Sequence, residues 1–238
     1  MKFTNRRRLT ASMVGSNESL STIGAFQIIQ DSITEFMGEL QIDGVTVKQR
    51  YNAFWVFVRT RAKFYKQLAW GAEFVVTAFI SAITPAKMYV DVTVCDADGE
   101  TVFAARTELC VLDIATQRIK KIASVGVSES MLLQEKTTEI TFTKWDTSEL
   151  PCVEQVRVRS TNVDHSHHTN NLEYLRFVMN TYSVAELEKQ TIREMEVVYA
   201  SQSYENDVLD VLKAKREERD LIILQKDGKP VIKCELVY

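Results

Sequence analysis

All three histidines of the chain, His165, His167 and His168, fall within one short run beside Asp164. Imidazole and carboxylate together can move protons near neutral pH. The run passes through Thr169, Asn170 and Asn171, all good helix caps, into a segment where Leu172, Leu175, Met179 and Tyr182 recur at three- to four-residue spacing. That spacing predicts an amphipathic helix over Asn171–Leu187. An ionisable loop thus feeds a helix start, where unpaired N–H groups and the helix dipole can hold an anion or a developing oxyanion. The same residues would equally suit a solvated surface loop. Three imidazoles and a carboxylate are adequate zinc ligands, but ring nitrogens so close in sequence rarely converge on one tetrahedron, so no metal site is expected.

The elements that must position this loop come in a repeated order. A first strand-like segment covers Phe3–Met13, and Ser16-Asn17 can cap a helix over Glu18–Leu40, with Ile29, Ile33, Phe36 or Met37, and Leu40 on one face and Gly44 past its end. Strands are expected over Ala53–Phe64 and Phe74–Ile83. Met88, Val90, Val92 and Val94 alternate with polar neighbours as in a half-buried strand, and Asp98-Gly99 turns into Val102–Leu112. The second half repeats the order: a strand over Cys152–Ser160, the histidine loop, the Asn171–Leu187 helix, then strands over Glu194–Tyr199, Asp207–Lys215, Asp220–Gln225 and Val231–Tyr238. Asp227-Gly228 forms the last turn. A period near half the chain predicts duplication of one α+β unit, with a linker over Ser124–Leu150. The expected division is 1–140 and 141–238.

Composition narrows the function classes. In 238 residues the net charge is −3, which gives no reason to expect nucleic acid as a partner. No apolar run is long enough for a membrane span. The N-terminal stretch lacks the apolar core of a secretory signal, so a cytoplasmic setting is expected. Cys95, Cys110, Cys152 and Cys234 are widely spaced, with no Cys-x-x-Cys pair, which argues against zinc and against a disulfide framework. Cys95, Cys110 and Cys234 sit in strand-like stretches as small core hydrophobes.

Asp164-x-Ser166-x-His168-Thr169-Asn170-Asn171-x-x-Tyr174 resembles the Asp-x-Asn-x-His-Val-Asn-Asn-x-x-Tyr signature of the acyl-acyl-carrier-protein (acyl-ACP) thioesterases. The likeness extends through Trp55-Val56-x-x-Arg59, Gly71-Ala72-Glu73 and the Asp98-Gly99-Glu100 turn. It implies an α+β fold of two tandem hotdog units, each a long helix wrapped by an antiparallel sheet. The C-terminal unit would carry the catalytic loop, and the N-terminal unit the acyl chain, around Phe54–Val58 and the Ile23–Met37 helix face. The implied activity is hydrolysis of a fatty acyl-ACP thioester without a cofactor. The partner would be acyl carrier protein, and a homodimer is compatible with the reading. Hydrolysis of acyl-CoA, or a lapsed hotdog protein that only binds acyl chains, are the alternatives.

Carried over by position, Asp164 is the carboxylate and His168 its partner. Asn170 and Asn171 stand at the helix start and Trp55 on the substrate side. Two positions depart from the family: Ser166 replaces the usual asparagine, and Gln202, in Tyr199-x-x-Gln202, replaces a glutamate. Glutamine keeps the shape of glutamate but cannot act as a base. An acidic carrier would be met by basic residues, for which Lys63, Lys66, Arg118, Lys120 and Lys121 are candidates.

Overall fold

A computed structural model describes residues 1–133, 140–145 and 150–238. The chain divides into two compact units, Met1–Ile140 and Thr141–Tyr238.

In the first unit, β1 (Lys2–Arg8) leads through a short 3-10 turn at Ala11–Met13 into α1 (Thr22–Glu39) and α2 (Gly44–Tyr51). β2 (Ala53–Phe64), β3 (Glu73–Ile83), β4 (Met88–Asp96), β5 (Thr101–Asp113) and the two-residue β6 (Ile119–Lys120) follow. The strands pair antiparallel in the order β1-β3-β4-β5-β2, with β6 on β5. α1 buries Ala25, Ile28, Ile29, Ile33, Phe36 and Met37, and Phe36 meets Phe3 of β1 at 6.4 Å between ring centroids. Ser21 caps α1 by accepting from the Gly24 N–H at 2.9 Å. A Cβ on Gly24 would lie 2.3 Å from the Met13 carbonyl oxygen, so only glycine lets the helix start approach the chain entering it.

Three expectations for this unit change. The helix expected from Glu18, capped by Ser16-Asn17, starts at Thr22 with Ser21 as its cap, because Glu18 is left-handed in the loop before it. The strand at the N-terminus ends at Arg8 rather than Met13, because Thr10 and Ala11 accept the turn bonds of Met13 and Val14. Gly44, expected merely to lie past the helix, opens a second one. Asp43 caps it, its Oδ1 accepting from the Val45 and Thr46 N–H groups at 2.9 and 3.1 Å. The predicted linker over Ser124–Leu150 falls partly on 134–139 and 146–149, outside the described residues. Its earlier part is folded: Ile122, Val125 and Val127 are buried, and Leu133 N–H donates to the Ile80 carbonyl.

In the second unit, β7 (Cys152–Arg157) precedes the histidine loop, α3 (Asn171–Met179) and α4 (Val184–Lys189). β8 (Glu194–Tyr199), β9 (Val208–Lys215), β10 (Arg219–Lys226) and β11 (Lys229–Val237) follow. The order is β7-β9-β10-β11-β8, again antiparallel throughout. This is the strand order of the first unit, element for element. The helix expected over Asn171–Leu187 is broken after Met179. Thr181 Oγ1 bonds back to the Val178 carbonyl at 2.8 Å, and Ser183 starts a new helix through a reciprocal box with Glu186. The two Asp-Gly turns also differ. Asp227 and Gly228 both have positive φ, the two-residue form that suits a tight hairpin, whereas at Asp98-Gly99 only the glycine does. There the Asp96 carboxylate accepts from the Asp98 and Glu100 N–H groups instead. Among the described residues no helix is long and apolar enough to cross a membrane.

Candidate active site

The histidine loop is closed by an antiparallel bridge between Val163 and Thr169. Inside it, Asp164 N–H donates to the His168 carbonyl and His167 N–H to the Asp164 carbonyl, both at 3.0 Å. His167 takes a left-handed conformation to make this turn (φ 63°). The tight turn brings Asp164, Ser166 and His168 to one side. Asp164 Oδ1 accepts from Ser166 N–H at 2.8 Å and from the Ser166 hydroxyl. The same hydroxyl lies 3.1 Å from His168 Nδ1.

Hydrogen-bond complementarity assigns the protons. Ser166 Oγ–H donates to the carboxylate, so its lone pair takes the proton of His168 Nδ1–H, and Nε2 is left as an acceptor. Burial lowers the His168 pKa from its ordinary value; Asp164 pulls it up by charge, less strongly, and His167 pushes it down. The burial includes the ring of Tyr204, packed edge-on at 5.1 Å. His168 is therefore neutral at neutral pH, in the form that can take a proton.

Asn170 caps α3, its side chain accepting from Leu172 N–H at 2.9 Å. Asn171 is the first residue of the helix, and among the described residues its N–H has no acceptor. Asn162 ties the helix start to the turn before the loop: its carbonyl accepts from Asn170 N–H at 2.8 Å and its amide donates to Glu173 at 2.8 Å. Gln202 is exposed, in the loop between β8 and β9 that Ser203 pins to the histidine loop through Thr169 N–H and the Ser203 carbonyl, 2.9 Å apart. Trp55 lies on β2 of the first unit, its indole N–H donating to the Ile42 carbonyl at 2.7 Å.

His165 and His167 are exposed, and no group of three or more ligand side chains suited to a metal ion occurs among the described residues. Cys110 and Cys234 are buried, and burial pushes both thiols up, away from nucleophilic thiolate. Sequence reasoning missed the buried hydroxyls of Thr169 and Ser203. The signal was there for one of them, since Thr169 stands where the signature quoted above has valine.

Two antiparallel α+β units of the same strand order make a double-hotdog fold, and the second carries a carboxylate, a hydroxyl and an imidazole in one loop at a helix start. Residues 1–128 match the family description "acyl-ACP thioesterase N-terminal domain", and residues 146–229 match "acyl-ACP thioesterase C-terminal domain". The chain belongs to the acyl-ACP thioesterase family, and its activity is hydrolysis of acyl-ACP thioesters. It is similar in structure to an acyl-ACP thioesterase from Bacteroides thetaiotaomicron (TM-score 0.91, 15% identity, covering 99% of this chain and 97% of that one). It is also similar to the 12:0-ACP thioesterase of Umbellularia californica (TM-score 0.86, 19% identity, covering 99% and 96%). No curated protein sequence matches the chain in a direct comparison.

Proposed function

We propose that His168 is the general base of the hydrolysis, held in its working tautomer by Ser166 and Asp164. Water attacks the thioester carbonyl carbon as its proton passes to His168 Nε2. The C–S bond then breaks, and the sulfur leaves with the proton that the imidazolium returns. Asp164 stabilises the imidazolium through the Ser166 hydroxyl, and the Asn171 N–H at the start of α3 faces the charge that develops on the carbonyl oxygen. The observation that carries this reading is the continuous Asp164–Ser166–His168 hydrogen-bond chain. It also accounts for the departure at Ser166: a hydroxyl both donates and accepts, which is what a bridge between carboxylate and imidazole requires.

Gln202 supplies no second carboxylate, so the enzyme works with Asp164 alone. Trp55, Phe54–Val58 and the α1 face belong to the acyl-chain side, carried by the first unit, and the second unit carries the chemistry. The partner is the carrier protein itself and the setting cytoplasmic; a homodimer is compatible with this reading. Among the basic candidates, Lys66 is committed to Asp96 and Lys120 to Asp113, while Arg118 and Lys121 are exposed with no ion pair among the described residues. Those two best suit an acidic carrier.

Purified protein assayed against acyl-ACPs and acyl-CoAs of several lengths tests the whole reading. The expected result is higher kcat/KM on acyl-ACP, and an Arg118→Glu/Lys121→Glu variant should raise KM for acyl-ACP alone. Faster turnover of every acyl-CoA than of any acyl-ACP would contradict it.

A further inference from the structure

Behind the histidine loop lies a cluster of three hydroxyls on residues that are all buried: Thr169, Tyr174 and Ser203. Ser203 N–H donates to Tyr174 Oη at 2.9 Å, and Tyr174 Oη lies 2.9 Å from Ser203 Oγ. Ser203 Oγ lies 2.7 Å from Thr169 Oγ1, which is 3.2 Å from the Ser203 carbonyl. One assignment satisfies every donor. Tyr174 Oη already accepts from Ser203 N–H, so it donates to Ser203 Oγ; Ser203 Oγ–H donates to Thr169; and Thr169 Oγ1–H donates to the Ser203 carbonyl. The closed ring ties three elements together: the histidine loop, the first turn of α3 and the loop between β8 and β9.

In the first unit the same junction is held without this ring, the Ser19 hydroxyl instead donating to Gln67 Oε1 at 2.9 Å. Its loop between β1 and α1 has the same bridge, from Val14 to Leu20, and Leu20 N–H donates to the Leu68 carbonyl at 2.8 Å, as Thr169 does to Ser203. Leu20, Leu68 and Ala25 stand there in the places of Thr169, Ser203 and Tyr174, so the three positions are apolar. Of the two junctions, the ring of hydroxyls stands behind the loop that carries Asp164 and His168. Hydrogen bonds, unlike apolar contacts, fix register and direction. What they fix is the pair immediately beside them in sequence: His168 next to Thr169, and Tyr204 next to Ser203, whose rings meet edge-on.

Resting on the assignment of His168 as the base, we propose that Thr169, Ser203 and Tyr174 are positioning residues that set the His168 ring against Tyr204 and its Nδ1 towards Ser166. The groups facing His168 are Asp164 through Ser166, His167 and Tyr204.

The test measures kcat, KM and the pH dependence of kcat/KM on acyl-ACP for Tyr174→Phe, Ser203→Ala, Thr169→Ser and His168→Ala. Loosening the ring lets the imidazole turn and become hydrated. Tyr174→Phe and Ser203→Ala should each lower kcat about 10-fold, a fraction of the roughly 10²–10⁴ that a general base contributes. KM should hold within about threefold, and the acidic limb should move up towards the ordinary imidazole value. Thr169→Ser keeps the hydroxyl and should stay near the parent. If His168→Ala cripples the enzyme while Tyr174→Phe and Ser203→Ala change only melting temperature, the positioning role is overturned and the base assignment stands. If His168→Ala is harmless, both fall.

Discussion

The two units build the same loop at the same place and put different chemistry on it. In the first unit, Gly15 N–H donates to the Ser19 carbonyl at 2.8 Å, Glu18 N–H donates to the Gly15 carbonyl at 3.1 Å, and Glu18 has φ 56°. In the second, Asp164, His168 and His167 make the same three features. Ser21 and Asn170 then cap α1 and α3 through their side chains. The backbone of this loop therefore needs neither carboxylate nor imidazole: Gly15 and Ser19 stand where Asp164 and His168 stand. The carboxylate, hydroxyl and imidazole of the second unit are additions to a scaffold that folds without them, and that is the strongest structural reason to assign them to function.

Gln202 also has a counterpart in the first unit. In the first unit Ser19 Oγ donates to Gln67 Oε1 at 2.9 Å, and Gln67 precedes Leu68 as Gln202 precedes Ser203. A glutamine at this position reaches the side chain on the loop in the first unit, whereas in the second unit Gln202 is exposed and its side chain has no hydrogen-bond partner among the described residues.

The largest effect should come from the carboxylate. Asp164→Asn removes the charge that stabilises the imidazolium, and kcat should fall by about 10³–10⁴ with little change in melting temperature. Breaking the bridge is milder. Ser166→Ala should lower kcat by roughly 10- to 100-fold, up to the lower end of general acid–base contributions. Ser166→Asn, the residue that Asn17 supplies in the first unit, should retain most activity because an amide also donates and accepts.

Smaller still is the effect of burial. The lowered His168 pKa puts the acidic limb of kcat/KM below the ordinary histidine value, since activity is lost only once Nε2 is protonated. Tyr204→Ala exposes the ring, so the limb should rise, measurable in a pH–rate profile.

The smallest effect concerns stability. The first unit buries Asp91 with Arg106, whose two nitrogens each bond the carboxylate at 2.8 Å and whose charge stays fixed. The second unit buries Lys213 beside Asp220, 3.9 Å apart, and burial lowers Lys213 to about 8. A lysine depressed in the native state binds fewer protons there than in the unfolded chain. Its contribution to stability therefore grows as pH rises from about 8 to the ordinary lysine range. Lys213→Met should lose that rise, as denaturant melts at pH 7.5 and 10 would show.

Much of this was legible in the sequence because alternation, caps and Asp-Gly turns are local signals. Glu194–Tyr199 was expected with the bounds it has, and the repeat of element order emerged from the same signals. The break after Met179 was missed because the apolar spacing continues through Tyr182, and the Ser183-x-x-Glu186 box that interrupts it was overlooked. The helix at Gly44 was missed because glycine after a helix suggests a stop, although Asp43 before it is a cap. At the site, Asp164, Ser166 and His168 were legible as a group. The bridging hydroxyl was not, because it depends on the left-handed turn at His167. Ser203 could not be paired with Thr169 and Tyr174 from spacing, since the ring closes between distant segments.

If the second loop holds the chemistry and the first only its shape, exchanging residues between them should separate the two. Steady-state kcat on acyl-ACP for two exchanged loops tests this most directly. An Asp164→Gly/His168→Ser variant installs the first unit's residues in the second loop, and a Gly15→Asp/Ser19→His variant does the reverse. The first should fold with a melting temperature near that of the parent and lose at least about 10³ in kcat, while the second should keep kcat within about twofold. Substantial turnover in the first variant, or a comparable loss in the second, would contradict the assignment.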